Sequence, residues 1–157
     1  MRGNPEFMKQ AIELATENVT SGRGGPFGAV IVRDGQVIAT GVNQVTAIHD
    51  PTAHAEVIAI RNACRELNDF SLHGCVIYTS CEPCPMCLAA IYWARMERVY
   101  YSGTAADAAL AGFDDAFLYG EMKKSMGERT IPEEPMLSDR GNESFDAWRR
   151  FASRLEY

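Results

Sequence analysis

Apolar residues at Phe7, Met8, Ala11, Ile12, Ala15 and Val19 recur every three or four positions, which predicts a helix over 7–19. The glycines of SGRGGPFG, at 21–28, end it. Between 27 and 43 the pattern changes to β-branched runs on either side of Asp34-Gly35, a strong hairpin signal. Asp50-Pro51 then reads as an N-cap followed by proline at the first helical position, opening a helix over 51–67. CVIYTS, at 75–80, is a short buried-type strand. CEPCPMCLAAIYWARM, at 81–96, is a loop running into a helix, and RVYYSG, at 98–103, is another strand. The order α-β-β-α-β-α-β predicts helices packed on both faces of a mixed sheet.

Past Gly103 the periodicity weakens. Residues 107–125 read as a helix in two pieces broken near Gly112, and 127–142, with two prolines and several turn residues, as a long loop. Residues 143–157 place Phe145, Trp148, Phe151, Ala152 and Leu155 on one helical stripe. A terminal helix carrying such anchors docks either on its own core or on a partner subunit.

At 157 residues the chain is expected to form a single domain, 1–157, burying roughly 70% of its unfolded surface. Hydrophobic residues make up 46% and charged residues 23%, the profile of a soluble globular protein. The formal net charge of −6, with no Lys/Arg-rich run, argues against nucleic acid as a partner, since phosphate-backbone binding depends on cationic side chains. The start, MRGNPEFMKQ, lacks the apolar segment of a signal peptide, and no apolar run approaches the ~18 residues of a membrane span. The five cysteines are odd in number and three cluster, a poor disulfide framework and a better metal pattern. A reducing cytoplasm is the expected location.

Those three are Cys81, Cys84 and Cys87 in TSCEPCPMC, and their counterpart is His54-Ala55-Glu56. Together they give H-x-E followed by P-C-x-x-C, which resembles the signature of zinc nucleobase deaminases. Zinc takes imidazole nitrogen and thiolate sulfur tetrahedrally, and a catalytic site leaves one of four positions for water. His54, Cys84 and Cys87 supply three donors and leave that position open. Cys84 and Cys87 fall at a helix start, where free N–H groups and the helix dipole favour thiolates. Glu56, two positions from His54, does not share its helix face and suits proton transfer better than ligation. Cys81 as a fourth ligand would close the site and make the zinc structural; packing is its preferred role. His49 and His73 receive none, and Cys64 and Cys75 read as core.

Zinc lowers the pKa of its water from about 15.7 to about 7, so the expected chemistry is hydrolytic removal of an exocyclic amine, with Glu56 carrying the protons. GGPFGAVIV, DPTAHAEV, YTSCEPCPMC, AIYWAR, AGFDDAF and the terminal EY together resemble bacterial guanine deaminases of the cytidine deaminase superfamily. The resemblance implies a three-layer α-β-α sandwich with a mixed five-stranded sheet, and a homodimer whose C-terminal segments exchange. It also implies attack at C2 of guanine, giving xanthine and ammonia. An ionised Asp suits guanine, whose N1–H and 2-amino group are adjacent donors. Asp115 is the first choice within GFDD and Asp114 the second; either also reads as a helix cap. Asn43 resembles the family's base-binding amide but also fits a turn. Phe27 and Trp93 either stack on the purine or belong to the core. Ala55 joins the base contacts, and Tyr157 closes the pocket, from its own chain or a partner's, unless it is a frayed end.

Guanosine, cytosine, an aminotriazine and tRNA adenosine remain alternative substrates, the last disfavoured by the acidic charge. The non-enzymatic alternative is a structural zinc module in which Cys81 ligates and Glu56 is idle.

Overall fold

The computed structural model describes residues 3–157; Met1 and Arg2 of the expected domain lie outside the described residues. Helix α1 spans Pro5–Thr20, capped by Asn4, whose side chain accepts from the Glu6 N–H at 3.0 Å. The hairpin follows as β1 (Gly28–Arg33) and β2 (Gln36–Val42). Asp34 and Gly35 both take positive φ, 51° and 77°, the two-residue turn whose twist matches the flanking strands. Then come α2 (Val45–Ile48), α3 (Ala55–Leu67), β3 (Cys75–Cys81), α4 (Pro85–Trp93), β4 (Arg98–Gly103), α5 (Ala105–Leu110), α6 (Asp115–Lys123) and α7 (Glu143–Arg150).

The strands lie in the order β2-β1-β3-β4, with β1 antiparallel to both neighbours and β3 parallel to β4. Strand β1 is buried on both sides, and its alternation sorts the core into two layers. Ala29 and Ile31 join Ile77, Ala55, Ala59, Ala63 and Ile91 on the face covered by α3 and α4. Val30 and Val32 join Tyr78 and Ala11 on the face covered by α1, where Phe7 and Tyr78 meet edge-to-face at 5.5 Å. The three layers are therefore those expected. Helix α3 lies so close to β2 that a Cβ on Gly41 would overlap the backbone at Ala55 O and Ala59 N.

Three expectations need correction, and one element was unforeseen. The sheet has four strands among the described residues, not five. The chain beyond β4 forms helices and then the segment around Pro132 and Pro135, which lack the N–H that a ladder needs. The helix expected from Pro51 begins at Ala55, because Asp50 accepts from the Thr52 N–H at 2.8 Å and holds a turn. The short α2 was not anticipated from the sequence. The terminal helix ends at Arg150; beyond it the chain turns so that the Tyr157 ring lies 6.1 Å from Trp93 and 6.4 Å from Phe70.

The pairing also decides where the chemistry gathers. Gly28 pairs with Val42, Ala29 with Thr79 and Cys81 with Gly103. The start of β1 and the ends of β2, β3 and β4 thus share one end of the sheet.

Candidate active site

Asn43 follows β2, Cys84 follows β3, Phe27 precedes β1, and the segment holding Asp115 follows β4, so the sheet delivers all four to the same end. Between them lies a cavity of about 540 Å³, lined by Phe27, Asn43, His54, Glu56, Cys84, Phe113 and Asp115, with Glu82, Val45, Thr46 and the glycines of 22–25 completing the wall. That size suits a small heterocycle.

Two helix N-termini converge on its floor. His54 is the N-cap residue of α3, and Cys84 that of α4, where Pro85 occupies the first helical position. Cys87 lies within the first turn of α4 and is fully buried. The His54 Nδ1 faces the Cys84 Sγ at 3.6 Å. Donor atoms of His54, Cys84 and Cys87 all lie within 4.8 Å of one another, the one His/Cys/Asp/Glu group of that kind among the described residues. One imidazole and two thiols on positive helix ends match the donor set and electrostatics of a zinc site with a fourth position open.

The hydrogen bond from Cys87 and the neighbouring His54 hold the Cys84 thiol down at about 4, whereas the bond to Cys84 and burial push Cys87 up. His54 is raised, chiefly by its hydrogen bond with Cys84. A cation among these groups would supply the charge that lets both sulfurs ionise. Cys81 is not in the cluster: its thiol contacts the Thr104 carbonyl at 3.4 Å, and burial pushes it up to about 11, so it stays protonated.

Glu56 is 7% exposed, and burial pushes its carboxyl up to about 7. A carboxyl balanced near neutrality is suited to both accepting and donating a proton. Asp115 is buried in the pocket wall and also raised, by burial and then by Cys84. Asp114 is the exposed residue preceding α6 and does not line the cavity. Asn43 is buried; its Oδ1 accepts from the Val45 N–H at 3.3 Å, which leaves the amide N–H₂ for a ligand. Phe27 meets Phe113 edge-to-face at 4.7 Å, forming an aromatic wall. Ala55, expected among the base contacts, is fully buried at the start of α3, packs in the core and does not line the cavity.

Trp93 and Tyr157 do not line this cavity. They line a separate one with Phe145 and Trp148, and Trp93 is 63% exposed, so it is no core residue either. Sequence reasoning missed Phe113 and Glu82, although both flank residues it did single out.

The model of the cytidine and deoxycytidylate deaminase zinc-binding region matches residues 1–103. A guanine deaminase of Bacillus subtilis (strain 168) is 56% identical over 151 residues, 96% of this chain and 97% of that protein. A tRNA-specific adenosine deaminase of Aquifex aeolicus (strain VF5) is 43% identical over 100 residues, 64% of this chain and 66% of that one. The X-ray structure of guanine deaminase from Bacillus subtilis superposes with a TM-score of 0.95 at 54% identity, covering 99% of both chains. The fold is thus the α/β fold of the cytidine deaminases, and the chain belongs to the zinc-binding cytidine and deoxycytidylate deaminase family.

Proposed function

We propose that this chain, as a single domain over 1–157, hydrolyses guanine to xanthine and ammonia, with zinc held by His54, Cys84 and Cys87. The observation that carries this reading is one cavity lined by His54, Cys84, Glu56 and Asp115, with the buried Cys87 beside it completing the three-donor cluster. The 56% identity to a guanine deaminase along nearly the whole chain supports it.

Zinc, when bound, supplies the Lewis acidity that makes water a nucleophile at neutral pH. Glu56 takes one water proton as the oxygen bonds to C2 and delivers it to a ring nitrogen; it then takes the remaining proton from the new C2 hydroxyl and gives it to the departing exocyclic amine. The C2–N bond then breaks, ammonia leaves and the C2 carbonyl of xanthine remains. Asp115 accepts from N1–H and the 2-amino group, a donor pair that cytosine and adenine lack. Asn43 donates to a purine acceptor, and Phe27 with Phe113 presses on the ring face.

Tyr157 enters through a second copy. Phe145, Phe151 and Leu155 are more than half exposed, and a homodimer exchanging its C-terminal segments covers them and places Tyr157 over the partner's cavity. No described helix is long and apolar enough to cross a membrane, and five free cysteines suit a reducing cytoplasm. The substrate is a free small molecule; the net charge of −6 disfavours nucleic acid.

The test is ammonia release from guanine, guanosine, cytosine and adenosine by the zinc-loaded protein. Release from guanine alone is expected. Comparable turnover of guanosine, or turnover of another base in place of guanine, would overturn the base assignment.

A further inference from the structure

Helix α6 carries Asp115, yet packing gives it little restraint. It rests on α5 and α4, while Phe117, Leu118 and Met122 on its flanks are 54%, 37% and 57% exposed. Its polar anchorage is more specific. Tyr119 lies one turn after Asp115, on the same helix face, and its hydroxyl donates to the Pro83 carbonyl at 2.7 Å. Pro83 is buried and immediately precedes Cys84. The preceding residue, Glu82, acts in the same sense: its carboxylate accepts from the Ala105 N–H at 3.0 Å, at the start of α5, and its own N–H donates to Gly103 O at 2.8 Å. Two adjacent residues of the loop that leads into the metal donors therefore brace the two helices around Asp115. A further tie is apolar, the Phe27–Phe113 contact.

We infer that Tyr119 is a positioning residue: its hydrogen bond to Pro83 fixes Asp115 relative to the metal-donor loop, and so sets the preference for a base with adjacent donors. Burial, and then Glu82, push the phenol up, so it remains a donor at working pH. A carboxylate must meet N1–H and the 2-amino group together while C2 lies beside the metal donors. A few tenths of an ångström in α6 spoil this two-point contact more than a single-point one. This inference rests on the guanine reading above.

The test is Tyr119→Phe, which removes only the hydroxyl and keeps the ring volume. Zinc content, melting temperature, kcat and KM for guanine, and the inhibition constant of 2-aminopurine are measured. The last compound keeps the 2-amino group but lacks N1–H. Expected are unchanged zinc, kcat within about twofold and a guanine KM raised about five- to tenfold, the range of one lost hydrogen bond. The 2-aminopurine constant should rise no more than about twofold. Neither constant depends on the fraction of active protein, so general loosening does not imitate the result. An unchanged guanine KM, or equal weakening of both ligands, would overturn the assignment of Tyr119. A wild-type chain that leaves guanine intact would instead overturn the reading on which it rests, and the inference with it.

Discussion

Replacing Glu56 with Gln separates the two consequences of burying this carboxyl. The side chain keeps its volume, and the three metal donors are untouched, so the variant should bind zinc as the wild type does. Loss of a proton carrier lowers rates by about 10²–10⁴-fold. Since Glu56 serves in both proton transfers, kcat should fall toward the larger figure, about 5 kcal/mol in barrier. The second consequence concerns stability. Burial raises the carboxyl from 4.5 to about 7, a difference of 2.5, worth about 3 kcal/mol. A carboxyl raised in the folded state binds its proton more tightly there. Its protonated form is therefore at home below about 4.5, and stability is lost as pH climbs from there through about 7. Gln carries no such burden. In metal-depleted protein, urea unfolding should find the variant more stable than wild type by about 3 kcal/mol at pH 8, with the advantage vanishing near pH 4.5. Parallel stability curves across this range would refute the burial argument, and a variant retaining wild-type kcat would refute the proton-transfer role.

Asp115→Asn removes one acceptor and places a donor against the guanine donors; KM should rise about 10- to 100-fold. Asp114→Asn, outside the cavity, should stay within about twofold of wild type in the same assay. Cys81→Ser should retain one zinc per chain by elemental analysis, whereas Cys87→Ser and His54→Ala should lose it; X-ray absorption showing three sulfurs on wild-type zinc would contradict this. Gly41→Ala drives a methyl into the α3 backbone and should lower the melting temperature by about 5–10 °C, an overpacking cost of roughly 2–3 kcal/mol.

The His54–Cys84–Cys87 cluster was legible in the sequence because the H-x-E and P-C-x-x-C spacing is a recognisable signature, and its members sit at fixed offsets at helix starts. The hairpin was legible because Asp34-Gly35 carries its own turn geometry. Asp115 and Asp114 were not separable by pattern. Their difference comes from where α6 begins, which turns one carboxylate into the cavity wall and leaves the other exposed. The start of α3 was misplaced because Asp50 caps a turn and not a helix, a choice set by the chain path that brings His54 to Cys84. Phe113 was overlooked because an aromatic between Gly112 and Asp114 signals nothing until it meets Phe27 across the cavity. The fifth strand came from resemblance alone; the residues after β4 carry no β-branched run to form one among the described residues.

The central claim is tested most directly by returning zinc to metal-depleted protein while following conversion of guanine to xanthine. The rate should rise in proportion to zinc and level off at one equivalent per chain. A rate indifferent to zinc, or fully loaded protein that forms no xanthine, would contradict the account.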